Sequence, residues 1–256
     1  MTFSDSNILL RPVRSQDTEQ LVSLWNRVFG DPPALIERFL SLLPEMGCGS
    51  VAERDSRILG SAYLIHGFEL LVPGEASIRC GYLYAVAVDE DSRGKGLGRE
   101  LSRAAVSYGK ENGVELICTL PAEDSLYRWY KKILSLRYHS FRTTFTCLEL
   151  PQALSLSAEE YLDEREALLR GLPHVVPKVA AVTFQQALCE AYGGGLFRFD
   201  NGIFCAYQEE EHFVVPELLL FDRTQPVPTV FSSTTGSYLC SDIPFPDGFV
   251  WNLTFD

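Results

Sequence analysis

Fourteen consecutive residues in the first half of the chain have the makings of a phosphate site. Residues 86–99 read VAVDEDSRGKGLGR. An apolar run through Val86, Ala87 and Val88 breaks at Asp89, and Arg93-Gly94-Lys95-Gly96-Leu97-Gly98 follows before a helical pattern begins. Glycine reaches positive φ without penalty and lets a ligand approach the backbone. Successive N–H groups at a helix N-terminus then cradle phosphate oxygens. Arg93, Lys95 and Arg99 add positive charge around such a cradle. The loop lacks the Gly-Lys-Ser/Thr ending of a nucleotide P-loop, and the neighbouring elements do not form the βαβ unit of a dinucleotide fold.

The elements that must hold this loop can be read on either side of it. A short apolar run at Ile8–Leu10 ends at Arg11-Pro12 and predicts an opening strand. Leu21, Leu24, Trp25, Val28 and Phe29 recur at helical spacing up to Gly30, and Asp31-Pro32-Pro33 opens a second helix to about Leu43. Residues 50–53 and 58–71 read as a hairpin, and after Pro73-Gly74 a strand runs from Tyr82 to Val88 into the loop. Beyond the loop Leu97, Leu101, Ala104, Ala105 and Tyr108 form one helical face closed by Asn112-Gly113. A strand at 116–120, a helix through Leu126, Trp129, Tyr130 and Ile133, and a last strand at 138–150 complete the series. That order predicts an α+β fold, a mixed and mostly antiparallel sheet layered with helices.

Element order and loop together resemble the GCN5-related N-acetyltransferases over residues 7–148. The resemblance implies that acetyl-coenzyme A binds here, with the backbone of Val86, Ala87 and Val88 along its pantetheine arm and the N–H groups of residues 93–99 at its pyrophosphate. It further implies that the strand at 116–120 splays from its neighbour to admit the thioester. In that family a tyrosine on the following helix protonates the departing thiolate, and Tyr130, in the run Trp129-Tyr130-Lys131-Lys132, takes its place. A phenol ordinarily ionises near pH 10, so it is protonated and able to donate at neutral pH. The family's Gly-Phe after this helix is absent, the chain reading Ile133-Leu134-Ser135-Leu136-Arg137-Tyr138, and Glu123-Asp124 stands where members often carry asparagine. The expected reaction is acetyl transfer to a primary amine of a small molecule or peptide. The alternative is an acyl-coenzyme A binding or regulatory protein without turnover.

Composition narrows the partners. The net charge of −12 is carried mainly after residue 150, where 5 Lys and Arg face 15 Asp and Glu, whereas residues 1–150 hold 17 against 19. Such a chain repels nucleic acid and anionic lipid, so neither is an expected partner. The seven cysteines are scattered without a CxxC, and the four histidines show no metal-ligand spacing. No metal is expected. No leader or membrane-length apolar run is seen, so a cytoplasmic location is expected, and a homodimer is compatible with the sequence.

Character changes at Pro151, which predicts a boundary between domains at 1–150 and 151–256. An acidic helix at 157–169, a second through Val179, Val182, Leu188 and Ala191, and strands at 196–199, 203–207 and 213–221 resemble the earlier helix and strand order. The segment after the last of them, Asp222-Arg223-Thr224-Gln225-Pro226-Val227-Pro228, has no glycines, and its prolines remove N–H donors. The second part therefore reads as a degenerate, smaller copy that binds no coenzyme A. Residues 238–240 and 249–255 are expected as terminal strands.

Overall fold

A computed structural model describes residues 7–234, 238–247, 249 and 250 of the chain. They form a mixed fold in which a twisted, mostly antiparallel sheet is combined with six α-helices. Two compact units result. The first comprises residues 1–68, 78–138 and 240–243, and the second takes 69–77, 139–239 and 244–256. The units thus part at residue 139 rather than at Pro151, and each borrows a segment from the other's stretch of sequence.

In the first unit, β1 (Leu9–Pro12) is followed by α1 (Thr18–Phe29) and α2 (Pro33–Met46). Helix α1 buries Leu21, Leu24 and Trp25 and stops at Gly30, whose φ of 85° lets its N–H turn back to the Asn26 carbonyl. Pro33 begins α2 where a missing N–H costs nothing, while Pro44 sits in its last turn. Strands β2 (Gly47–Arg54), β3 (Arg57–Leu71) and β4 (Ile78–Val88) follow, then α3 (Leu97–Glu111), β5 (Leu116–Thr119) and α4 (Asp124–Leu134). The strand order is β1-β2-β3-β4-β5. β1 and β2 pair antiparallel, as do β2 and β3, while β4 and β5 run parallel.

Helix α3 lies close against this sheet because Gly60 carries no side chain. A Cβ there would meet the Ala87 carbonyl oxygen and Leu101 Cδ1, each at 2.8 Å. One apolar cluster joins Leu64, Leu83, Leu97, Leu101, Ile117 and Ile133. On α1's side a second holds Leu21, Leu24, Val51, Ile58 and Ala87, beside a cluster of tilted and edge-on rings from Trp25, Phe39, Tyr63 and Tyr84.

The strand expected at 138–150 is instead two short ones, β6 (Tyr138–Phe141) and β7 (Phe145–Cys147). The edge of β5 is taken by residues from the far end of the chain. Of the elements β8 (Leu154–Ser155), α5 (Ala158–Leu169), β9 (His174–Pro177), α6 (Val179–Ala191), β10 (Gly195–Phe199), β11 (Gly202–Glu209), β12 (His212–Leu220), β13 (Ser232–Ser233) and β14 (Tyr238–Ser241), it is the last that returns. Cys240 and Ser241 pair antiparallel with Thr119 and Cys118 of β5. The predicted strand at 238–240 is therefore present and belongs partly to the first unit. Of the one expected at 249–255, Val250 makes a single parallel bridge to His174, and residues 251–255 lie outside the described residues.

In the second unit β13-β7-β12-β11-β10-β8 form an antiparallel sheet. Helix α5 begins at a capping box in which the Ser157 side chain accepts from the Glu160 N–H and the Glu160 carboxylate accepts from the Ser157 N–H. Its Arg165 is wholly buried and donates from Nε to the equally buried Glu217 of β12 at 3.1 Å. The Tyr161 hydroxyl donates to the same carboxylate at 2.9 Å.

Candidate acyl-transfer site

Strands β4 and β5 pair only from Cys80 with Leu116 to Tyr82 with Cys118. One further link, from the Thr119 hydroxyl to the Leu83 carbonyl at 2.8 Å, closes the paired stretch. Beyond it β4 turns through Ala85, which has a φ of 46°, uncommon for a residue with a side chain. From there to Val88 the face of β4 that β5 covered lower down has no β5 partner. Past Thr119 the two parallel strands are no longer paired, and β4 alone continues to the glycine loop.

Side chains alternate along this stretch. Val86 and Val88 pack against the cluster of Leu97, Leu101 and Tyr130, whereas Ala87 is buried on α1's side. The strand ends at Asp89, whose N–H donates to the Leu59 carbonyl at 2.8 Å and whose carboxylate accepts from Arg27 at 3.1 Å and Arg57 at 3.0 Å. Burial pushes the Asp89 carboxyl up, but Arg57, the Asp91 N–H and Arg27 outweigh it and hold it below its ordinary value. Sequence reading marked Asp89 as the point where the strand breaks and left its two arginine partners unread, because they come from α1 and β3.

After a single 3-10 turn at Glu90–Ser92 the loop passes through Gly94 and Gly96, with φ of 75° and 84°. A Cβ on Gly94 would meet nothing within 4 Å. The first backbone bond of α3 runs from the Glu100 N–H to the Gly96 carbonyl, so the N–H groups of Leu97 and Gly98 precede the helix's own bonding. Those donors, together with the positive end of the helix dipole, fit an anionic diphosphate. Among the predicted cations, Arg93 donates from Nε to the Val88 carbonyl at 3.1 Å and Lys95 to the Asp91 carbonyl at 3.1 Å. Arg99 pairs with Glu100 at 2.7 Å. All three therefore brace the loop as well as charge it.

Helix α4 passes beside the start of α3. A Cβ on Gly98 would lie 3.8 Å from the Trp129 ring, and the Trp129 and Tyr130 ring centroids are 4.8 Å apart. Tyr130 is 7% exposed and belongs to the cluster that Val86 and Val88 pack against. The loop, the end of β4 and Tyr130 are thus gathered at one end of the sheet. Glu53, one of several acidic residues near these strands in the sequence, is committed to Arg11 at 2.6 Å.

Residues 10–131 match the family model described as the acetyltransferase (GNAT) domain, a stretch that contains the loop, the unpaired end of β4 and Tyr130. Residues 10–131 are a GNAT domain.

Solved structures place the whole chain in the same fold. A GCN5-related N-acetyltransferase from Kribbella flavida superposes with a TM-score of 0.62 at 11% identity, covering 91% of this chain and 70% of that one. A conserved protein of Enterococcus faecalis V583 gives 0.63 at 11% identity, with 92% and 72% covered. Eis1 from Mycobacterium abscessus gives 0.58 at 13% identity over 84% of this chain and 59% of its own. No curated protein matches the sequence significantly. Among the described residues the GNAT domain and its companion unit hold no group of three or more His, Cys, Asp or Glu arranged to bind a metal. No helix among them is long and apolar enough to cross a membrane.

Proposed function

We propose that the protein is an N-acetyltransferase that moves the acetyl group of acetyl-coenzyme A to a primary amine of a small molecule or peptide. The observation that carries this reading is the end of β4–β5 pairing at Tyr82 and Cys118, beyond which β4 runs on into a loop with positive φ at Gly94 and Gly96 and then the N-terminus of α3. The pyrophosphate binds to the N–H groups of residues 93–99, and the pantetheine arm runs along the backbone of Val86, Ala87 and Val88. Coenzyme A supplies an activated acyl group and a thiol leaving group.

The neutral amine attacks the thioester carbonyl. A C–N bond forms, the C–S bond breaks, and the amine's surplus proton passes to solvent. The Tyr130 hydroxyl protonates the departing sulfur and regains its proton from solvent, so that the products are the amide and free coenzyme A thiol. Holding the reactants in line supplies much of the rate, and backbone N–H groups beside the unpaired end of β4 stabilise the developing oxyanion. The second unit, with two helices followed by the β10-β11-β12 meander, resembles the α1-α2-β2-β3-β4 order apart from the inserted β9 and has no glycine loop, which supports its reading as a degenerate copy.

Titration of the protein with acetyl-coenzyme A by calorimetry, alongside Gly96→Pro/Gly98→Pro, tests the cofactor, and thiol release over an amine panel tests the reaction. Micromolar binding abolished by the double variant, together with turnover, is the expected result. Binding without turnover on any amine supports the non-catalytic acyl-binding alternative. An absence of binding by the folded wild type overturns both.

A further inference from the structure

The first unit carries a cleft of about 770 Å³ that the acyl-transfer reading does not use. That volume suits a small organic molecule. Its α3 residues run from Ala104 to Glu111, and at 1.5 Å of rise per residue they lie about 10–20 Å along the helix from the glycine loop. On the sheet it is bordered by the opposite end, Gly47–Ser50 at the start of β2, where β1 ends with Pro12 opposite Ser50.

Three features define what the cleft can hold. Its walls are apolar: Leu10, Val13, Leu40, Leu43, Pro44 and the half-exposed ring of Tyr108. A single polar group lies deep among them, the Ser50 hydroxyl. Ser50 is 7% exposed and lines the cleft. The third feature is charge. Glu37 and Glu111 line the exposed part, and among the described residues neither enters an ion pair. Of the two lining cations, Arg11 is already held by Asp17 and Glu53, and Arg14 lies exposed on the turn. The lining therefore holds two carboxylates, one guanidinium already neutralised and one exposed.

We infer that this cleft is a second ligand site, separate from the acyl-transfer centre, for an amphipathic primary amine. The apolar or aromatic body lies between α2 and α3, a polar group reaches the Ser50 hydroxyl, and the ammonium stays beside Glu37 and Glu111. An acid of the same size meets the same walls and the wrong charge.

Four probes of nearly equal size decide the matter on the wild-type protein: 2-phenylethylamine, tyramine, 2-phenylethanol and phenylacetate, each titrated by calorimetry. The amines are expected to bind at least about tenfold more tightly than phenylacetate, with the alcohol between them, as two exposed carboxylates allow. Glu37→Gln/Glu111→Gln should reduce the amines to the level of the alcohol. Cys48 reports the location, because it lines the cleft and is the one described cysteine that is not fully buried. Burial pushes its thiol up to about 11, so alkylation with N-ethylmaleimide is followed in mildly alkaline buffer by peptide mass. Bound amine should slow alkylation at Cys48, and acetyl-coenzyme A should not. Equal affinity for all four probes, amine binding that leaves Cys48 unprotected, protection by acetyl-coenzyme A, or no binding at about 10 mM would each overturn the inference. None of these readouts requires the protein to turn over, so they stand apart from the test of the proposed reaction.

Discussion

Asp242 and Ile117 hold each other by reciprocal hydrogen bonds across 125 residues of sequence. The Asp242 carboxylate accepts from the Ile117 N–H at 2.8 Å, and the Asp242 N–H donates to the Ile117 carbonyl at 3.1 Å. Lys110 at the end of α3 pairs with the same carboxylate at 2.9 Å, and the Arg137 N–H donates to the Ser241 carbonyl at 2.8 Å. The strand beside the proposed thioester gap is therefore braced from the far end of the chain. Asp242→Ala leaves the Ile117 N–H without its partner and should cost about 1–3 kcal/mol. Urea denaturation checks the value, and a loss below a few tenths of a kcal/mol would show the brace to be idle.

The buried ion pair of the second unit makes a larger claim. With Arg165 and Glu217 both at 0% exposure, Glu217→Leu strands a guanidinium in the interior and should destabilise the protein by about 3–5 kcal/mol. Arg165→Met/Glu217→Leu removes both charges and should recover most of that loss. A double variant no better than the single one would mean that the other partners of Arg165, Glu166 and the Val175 carbonyl, carry the network.

Acid sensitivity follows from Asp17 and Asp89. Burial pushes both carboxyls up, but Arg11 and the Arg14 N–H at Asp17, like Arg57 and Arg27 at Asp89, outweigh it and hold them below the ordinary 3.8. A carboxyl depressed in the folded state contributes stability above its unfolded value and loses it as pH falls through the folded one. The melting temperature should therefore be level from neutrality to about pH 4 and fall below it. Asp17→Asn should lower the plateau and flatten the acid limb, as a melting series against pH would show.

For the proposed chemistry, Tyr130→Phe keeps the packing and removes the proton donor. Turnover should fall by about a hundredfold or more while KM for acetyl-coenzyme A moves less than about twofold. Unchanged turnover would assign Tyr130 to packing alone.

The parts of the fold that could be read from sequence are those specified locally. Helix α1 declares itself by the spacing of Leu21, Leu24 and Trp25 and by Gly30, and the loop by Gly94, Gly96 and Gly98 directly after an apolar strand. What escaped reading depends on partners distant in sequence. Residues 138–150 look like one strand because Phe141, Phe145 and the threonines favour one, yet the edge of β5 goes to Cys240 and Ser241. Local propensity cannot choose between two candidate neighbours for the same edge. Arg27 and Arg57 are unremarkable surface arginines until α1 and β3 bring them to Asp89. One signal was available: Glu217 falls in step with the inward-facing Val215 of β12, and a carboxylate at such a position calls for a buried cation.

The return of residues 240–243 to β5 also has a consequence for how the protein is made. Translation delivers α3, β5 and α4 more than a hundred residues before the strand that covers the edge of β5. Through that interval β5 offers an unpaired strand edge of the kind that recruits other chains. Completion of the proposed acetyltransferase site is thus tied to synthesis through Asp242, and a product released before it should accumulate in aggregates rather than as a free-standing GNAT domain.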